Sequence, residues 1–573
     1  MNASQIIVLA TPVFLLLIAL EFAWGWARGR NTYRLDDALT SIGLGMLSQI
    51  SAVFTRLLRV GLYTAVYAYV ALWPNETFWT RWYGWLLALV FFDFCYYWLH
   101  RAGHEVAVFW AAHVVHHHSQ DYNLSTALRQ TSSGALLGWL FYLPMAVAGV
   151  PPLVFGVVAL VDLLYQFWVH TEQVGKLGWF DRWFCSPSNH RVHHAVNERY
   201  LDRNYGGMLI VWDRLFGSFQ EEGERCVYGT RSPLNSWDPL WANVEVYWSL
   251  LHDSWHARAW GDKLRVWFKP PGWRPADVAA RFPKPAFDLA QVQTYAPPMS
   301  RTVQWFSAAQ FLGLLAGVTL LLWHAESLPL AQSAVWVCAL TAGLWALGAV
   351  MQGRLSLGEV LLIEAAALAT ASAATGLVEL HQVFKPLTML IAIVLVARQW
   401  SASEKKTGLA LLLAALVGSL AGDVLLMFHG LFIPGLVAFL CAHLAYLALF
   451  KRGQRWFPSR RALLATLGFA ELMYAVLWLG GLPAGLRAPV AAYVLVIALM
   501  AAQAIGRALA QGDRGAGWVA TGAVFFMLSD TLLALNRFLT PLPLASLWIL
   551  STYYVAQILI VRGLLANTSI NRR

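Results

Sequence analysis

The sequence predicts an all-α, polytopic membrane protein: a helical N-terminal domain with a cytoplasmic cap, followed by a C-terminal multi-span helical bundle. Three observations predict it. Of the 573 residues, 58% are hydrophobic and only 13% charged, with a mean hydropathy of +0.53, a composition foreign to water-soluble enzymes. Apolar runs of the length a spanning helix needs, about 20 residues, recur along the chain. Basic residues collect in every second loop, as cytoplasmic loops require. The 29 tryptophans suit interfacial aromatic belts. The net charge of +10 is loop charge, and no Lys/Arg tract is dense enough for a nucleic-acid partner. Five scattered cysteines, Cys95, Cys185, Cys226, Cys338 and Cys441, form no CxxC pair, which argues against a disulfide framework or a zinc ribbon.

Taken in order, the first apolar run, Ile6 to Trp24, lacks a basic segment before it and a small-residue cleavage site after it, so it reads as an anchor. Arg28, Arg30 and Arg34 follow and put the N-terminus outside. Residues 38 to 72 then cross outward and Trp82 to Leu99 return, which brings His100 to His118 to the cytoplasmic surface. Gly134 to Val169 is long enough for an apolar hairpin, bent at Pro144 or at Pro151-Pro152, that enters and leaves on one side. A polar stretch from about Thr171 to Ser300 follows, with the Pro/Trp-rich tail Lys269-Pro-Pro-Gly-Trp-Arg-Pro275. The chain divides there, into domains 1–300 and 301–573. The second reads as ten spans, starting near Val303, Ala331, Leu357, Pro386, Leu409, Ile433, Ala462, Ala488, Gly517 and Ser546. Its basic loops alternate: Arg354; Arg398, Lys405 and Lys406; Lys451 to Arg461; Arg507 and Arg514; Arg562 to Arg573.

The most informative pattern lies between His100 and His194, where eight histidines form three clusters: His100-x3-His104, His113-x2-His116-His117 and His190-x2-His193-His194. Residues three or four apart share a helix face, so each cluster can aim its imidazoles at one point. Neutral imidazole is a common ligand for iron, copper and zinc. Eight converging nitrogens exceed what one tetrahedral zinc needs; two metals with open positions fit better. His118 extends the second cluster, but helix neighbours diverge by about 100°, which turns it aside. His170 ends the hairpin in Phe167-Trp-Val-His-Thr-Glu172, faces the same side and joins the candidate ligands. With no cysteine in the clusters, a pair of all-imidazole sites beside a membrane suits iron and dioxygen, acting on a lipid delivered laterally from the bilayer. Cleaving an unactivated C–H bond requires redox chemistry of that kind.

These boxes resemble those of the fatty acid hydroxylase/sterol desaturase superfamily of membrane di-iron enzymes and, within it, the alkylglycerol monooxygenases. The matching segments are His100-Arg-Ala-Gly-His-Glu105, Gln166-Phe-Trp-Val-His-Thr-Glu172, Pro187-Ser-Asn-His-Arg-Val-His-His194, Asp202-Arg-Asn-Tyr-Gly-Gly207 and Ile210-Val-Trp-Asp-Arg-Leu-Phe-Gly-Ser218. They cover roughly residues 1 to 290. Asn189 stands where the pattern carries a further histidine, and Ser218 where threonine is common. The resemblance implies a membrane di-iron hydroxylase domain in which the box histidines hold two irons and Glu105 is functionally required. It implies that Asn204-Tyr205-Gly206 and Trp212-Asp213-Arg214 pack under the site. The implied reaction is O2-dependent hydroxylation of the ether-linked carbon of an alkylglycerol, which releases a fatty aldehyde. Tetrahydrobiopterin is the implied electron donor, so the partners are a membrane lipid substrate and a supply of reductant or pterin.

Carboxylates inside apolar helices are costly and default to functional roles. Asp423 in Ser419-Leu-Ala-Gly-Asp-Val-Leu-Leu426 and Asp530 in Phe526-Met-Leu-Ser-Asp-Thr-Leu-Leu-Ala-Leu-Asn-Arg537 stand out. Both fall on outward-running helices at similar depth, where they could face each other. His443, Lys385 and Asn536 are further polar candidates. Lys385-Pro-Leu-Thr388, Gly422-Asp423, Ala442-His-Leu-Ala-Tyr446, Ser529-Asp530 and Tyr553-Tyr554-x2-Gln557 resemble the YhhN-like lysoplasmalogenase family over roughly residues 325 to 565. That resemblance implies hydrolysis of a lysolipid vinyl ether with release of aldehyde. A buried carboxylic acid could protonate the vinyl β-carbon while a second carboxylate guides water. The topology puts the histidines at the cytoplasmic face and this carboxylate pair nearer the other side, which argues against direct channelling. Other readings stay open on the residues alone. The di-iron site could serve a sterol, fatty acyl or carotenoid hydroxylase or desaturase. The C-terminal bundle could be transporter-like or accessory, with Asp423 and Asp530 as relay carboxylates. The clusters could hold a di-zinc hydrolase.

Overall fold

The computed structural model describes residues 3–401, 404 and 406–569; Lys405 and residues 570–573 of the basic loops lie outside the described residues. Helices dominate, and among the described residues extended pairing is confined to the isolated bridges Phe184 with Leu209 and Ala195 with Tyr228. Among the described residues thirteen helices are long and apolar enough to cross a membrane, so the chain is an integral, multi-pass, all-α protein. It forms two compact units, Met1–Leu328 with Leu347–Arg354, and Pro329–Ala346 with Leu355–Arg573.

The first unit holds the spans Ser4–Ala27, Leu35–Thr55, Trp82–Glu105 and Arg301–His324. The second of these lies in the 36-residue helix Leu35–Val70. Arg301–His324 packs against Ala3–Ala27 and Leu35–Val70. The expected apolar hairpin is present as Gly134–Ala148 and Pro152–Trp168. Its bend falls at residues 149–151. Gly149 adopts φ +95°, and the Trp73 carbonyl occupies the space a side chain would need. Pro144 opens the short helix Leu143–Ala148, where its missing N–H removes no helical bond. Stacked rings fasten the hairpin to its neighbours: Tyr63 lies 4.0 Å from Phe155, and Phe92 4.6 Å from Tyr142.

All ten apolar helices expected after residue 300 are present, the last nine beginning at Leu330, Leu357, Val378, Lys406, Phe432, Arg460, Ala484, Arg514 and Ala545. The expected start at Pro386 is the one large displacement. The helix begins eight residues earlier at Val378, because the polar Glu379 and His381 masked its first turns and Pro386 sits inside it. In the second unit, sequence neighbours pack as hairpins, most extensively Arg514–Phe538 on Ala545–Ser569. Gly522 lets these two helices approach so closely that a Cβ would lie 2.8 Å from the Ala556 carbonyl oxygen.

One buried ion pair ties Leu35–Val70 to the segment after the second histidine cluster. Arg129 is 1% exposed; its Nε donates to the Val115 carbonyl at 2.9 Å, and its Nη1 lies 3.8 Å from Asp37 Oδ1. Asp37 also accepts from Ser119 Oγ at 2.6 Å. Asp37→Leu strands the guanidinium, and we expect it to cost about 3–5 kcal/mol, read as a lower unfolding midpoint in detergent. Adding Arg129→Met should restore most of the loss. An unchanged midpoint in the single variant would contradict the buried pair.

Candidate metal centre and a buried carboxylate site

The first histidine cluster ends the helix Trp82–Glu105. Val106 is extended (φ −128°, ψ 121°) and breaks the helix, so the next one, Ala107–His117, folds back and lays the second cluster against the first. The third lies on Pro187–His194, which starts with proline and is capped by Ser186, whose side chain accepts from Asn189 N. His170 follows the hairpin helix Pro152–Trp168.

The nine expected imidazoles come together in two groups. His100, His104, His113, His117 and His193 form one and His116, His170, His190 and His194 the other, with one nitrogen per residue within 4.8 Å of the rest of its group. Helical periodicity sorts them. His113 and His117, four apart, point one way, and the adjacent His116 points the other; His190 and His194 likewise part from His193. His118 joins neither group; it is buried with both ring nitrogens unpartnered.

Nitrogen spacings within the groups are those of a coordination sphere. His113 Nε2 lies 3.1 Å from His100 Nε2 and 3.0 Å from His117 Nε2. His170 Nε2 lies 3.0 Å from the Nε2 atoms of both His116 and His190. Two nitrogens bound at right angles, each about 2.1 Å from one ion, sit about 3.0 Å apart. Tautomers sharpen the point. His116 Nδ1 lies 2.9 Å from the Arg129 carbonyl oxygen, and His170 Nδ1 2.8 Å from that of Gln166. A carbonyl only accepts, so each ring carries its proton on Nδ1. The two Nε2 atoms then oppose lone pairs at 3.0 Å, and neither can donate. Protonation is no remedy, because burial pushes His116 down to about 4 and His170 well below the ordinary histidine value. A cation between them resolves the contact. Nε2 of His104, His193 and His194 are also buried without a protein partner, so the residues fit a metal pair. Lowered histidine values also set a pH window. Without metal, the site's contribution to stability is complete above the unfolded value of about 6.5 and is lost as pH falls toward the folded values.

The segment Asp202 to Gly207 orients the rings. The Tyr205 carbonyl accepts from His100 Nδ1 at 2.8 Å and the Arg203 carbonyl from His193 Nδ1 at 3.0 Å. Asp213 fixes that segment, accepting from Tyr205 N and Gly206 N, each at 2.7 Å, and from Ser218 Oγ at 2.7 Å. Asn204, at φ +57°, donates to the carbonyls of Asn189 at 2.9 Å and Gln220 at 2.8 Å. The Asn189 amide is spent on the carbonyls of Asp181 and Phe184, outside both histidine groups. Asp93, on the spanning helix, accepts from Met208 N at 2.6 Å, Leu209 N at 3.1 Å and Trp212 Nε1 at 2.8 Å. Sequence reasoning passed over this anchor, although an acid in a span was a sufficient signal. Glu105 stands outside the two groups. Arg101 Nε donates to it at 3.0 Å and the Tyr205 hydroxyl at 3.3 Å, and the Tyr205 ring lies 5.5 Å from that of His104.

In the second unit, Asp423 and Asp530 border one aromatic cluster. Asp423 lies 3.6 Å from Lys385 Nζ and accepts from Tyr553 OH at 2.6 Å. Asp530 accepts from Tyr493 OH at 2.6 Å and contacts His443 Nε2 at 3.2 Å. Phe526 links the two, 4.6 Å from the His443 ring and 5.4 Å from Tyr553. Asp530 opens onto a largely apolar cavity of about 80 Å³. Of the further polar candidates, Lys385 and His443 partner the carboxylates, while Asn536 accepts from Leu542 N in the following loop. Tyr493 was not anticipated, since a lone tyrosine in an apolar helix carries no motif.

Residues 85–218 match the fatty acid hydroxylase family, and residues 380–564 match the YhhN family. An alkylglycerol monooxygenase of Xenopus tropicalis is 38% identical over 312 residues, 54% of this chain and 68% of its own length. The human alkylglycerol monooxygenase is 42% identical over 269 residues, 46% of this chain, which spans 59% of that relative. A lysoplasmalogenase of Mus musculus is 37% identical over 173 residues, 30% of this chain and 71% of its own length. No solved structure matches the chain.

Elemental analysis of purified variants tests the two groups. His117→Ala and His194→Ala, one from each group, should each lower bound metal from about two ions per chain to about one, whereas His118→Ala should leave it unchanged. Equal losses in all three would refute the partition.

Proposed function

The chain belongs to the alkylglycerol monooxygenase family and carries a YhhN-family domain, and from that premise we propose an enzyme with two ether-cleaving activities. Its first unit is a membrane di-iron monooxygenase that hydroxylates the ether-linked carbon of alkylglycerol lipids and releases fatty aldehyde. Its second unit hydrolyses the vinyl ether of lysoplasmalogens. The observation that carries the first reading is the pair of opposed lone pairs on His116 and His170, inside one of two all-imidazole groups.

The groups of five and four histidines would hold the two irons through imidazole nitrogen alone. Iron bound there supplies oxygen activation, with tetrahydrobiopterin as the two-electron donor. In the overall reaction one atom of O2 enters the ether-linked carbon as a hydroxyl. The other leaves as water with two electrons and two protons from the reductant. The hemiacetal then breaks its bond to the glycerol oxygen, giving aldehyde and a free glycerol hydroxyl. Glu105, steadied by Arg101 and Tyr205 beside the His104 ring, is the carboxylate we assign to the hydroxyl proton in that collapse. Arg28, Arg30 and Arg34 after the first span support a cytoplasmic site, reached by lipid from the bilayer.

Different partners suggest different roles for the two carboxylates. Asp530 faces the cavity with Tyr493 and His443 as its partners, which suits the acid that protonates the vinyl β-carbon. Asp423, ion-paired with Lys385, suits the carboxylate that orients water toward the neighbouring carbon.

Fatty aldehyde should form from a 1-O-alkylglycerol only when iron, reduced pterin and oxygen are all present, and should disappear in His194→Ala. Aldehyde produced without oxygen would sink the monooxygenase reading. In a separate assay, Asp423→Asn and Asp530→Asn should each lower vinyl-ether hydrolysis by about 10²-fold or more, with alkylglycerol oxidation retained. Undiminished hydrolysis in both would remove the carboxylates from the mechanism.

A further inference from the structure

The helix Arg514–Phe538 brings two charged residues to one cavity, because Asp530 and Arg537 both line it. Seven residues apart, they share a helix face and are separated by about 10 Å along the axis. Arg537 lies in the last turn, where the helix leaves the apolar region, and its guanidinium sits over the Phe432 ring, 4.9 Å from the centroid. Among the described residues no carboxylate lies within ion-pair distance of it. The other lining residues, Phe439, Leu477 and Ile497 among them, are almost all apolar, as the wall of a lipid-binding site requires. One end of the cavity therefore holds an acid engaged by Tyr493 and His443, and the other an arginine held by an aromatic face with its fork unclaimed.

We propose that Arg537 binds the phosphate of the lysoplasmalogen and is the residue by which this cavity discriminates against neutral alkenylglycerols. The proposal rests on the vinyl-ether reading of Asp530. Dimensions support it. Seven bonds separate the vinyl β-carbon from phosphorus in such a lipid, about 8 Å when extended at the per-bond advance of a stretched chain. The arginine side chain reaches across the small remaining difference. With the β-carbon at Asp530, the phosphate meets Arg537 at the interfacial end of the helix, and the hydrocarbon tail runs inward along the apolar wall. A planar guanidinium pairs with two phosphate oxygens at once, which a lysine cannot match.

The test uses the full-length protein in detergent. Binding of a non-hydrolysable 1-O-alkyl lysophosphatidylethanolamine is measured alongside hydrolysis of a lysoplasmalogen and of the alkenylglycerol with the same chain. In Arg537→Gln the dissociation constant for the phospholipid analogue should rise about 10-fold or more, with partial recovery in Arg537→Lys. Lysoplasmalogen kcat/KM should fall through KM, while alkenylglycerol hydrolysis stays unchanged. Unchanged binding, as for an arginine that merely meets the bilayer surface, would overturn the proposal, and so would equal loss on both substrates. Arg537-dependent binding without vinyl-ether hydrolysis in the unaltered protein would retain the phosphate subsite and discard the hydrolase reading.

Discussion

Two neutral imidazoles cannot hold bare nitrogens face to face unless something positive lies between them. The first unit is arranged around that constraint. Carbonyl oxygens of Tyr205, Arg129, Gln166 and Arg203 each claim the Nδ1 proton of one histidine, which leaves the Nε2 lone pair pointing inward. The tautomer is decided by backbone geometry. Burial then denies His116, His170 and His193 the alternative of taking up protons. For His116 and His170 the result is a pair of donors that converge and cannot satisfy one another, a state that a cation relieves.

Such an arrangement needs rigid carbonyls, and much of the surrounding polar network supplies them. Asp213 holds two consecutive amides of the segment whose carbonyls face His100 and His193. Asp93 holds the amides of Met208 and Leu209 and an indole from inside a spanning helix. Gly207 lies in the crowded space between them, where a Cβ would come within 2.8 Å of Tyr96, 3.0 Å of Asp93 and 3.1 Å of Asp162. A buried carboxylate without such donors would be expensive in this setting; with them it becomes a fixed template for the loop.

Much of this was legible in the sequence, for identifiable reasons. Spanning helices announce themselves because lipid forces backbone groups to pair within each apolar run. All ten C-terminal helices were therefore readable, and the early start at Val378 escaped because polar residues in its first turns look like a loop. The histidines were readable because spacings of three and four put side chains on a common face. Their division into groups of five and four was not, since it depends on how three helices and the His170 turn meet. The 100° step that turned His118 aside is the same step that parts His116 from His117 and His193 from His194. Partners far apart in the chain, such as Lys385 with Asp423 or Tyr493 with Asp530, have no local signature at all.

The two units thus answer the cost of buried polar groups in different ways. In the second, each carboxylate has protein partners at hand, a lysine and a tyrosine for Asp423, a tyrosine and a histidine for Asp530. The unlike partners make the two acids chemically unequal before any substrate arrives. In the first, lone pairs on His116 and His170 oppose each other and the Nε2 atoms of His104, His193 and His194 have no protein partner. A cation held there would therefore link metal binding to stability in that unit, because whatever binds the folded state alone stabilises it.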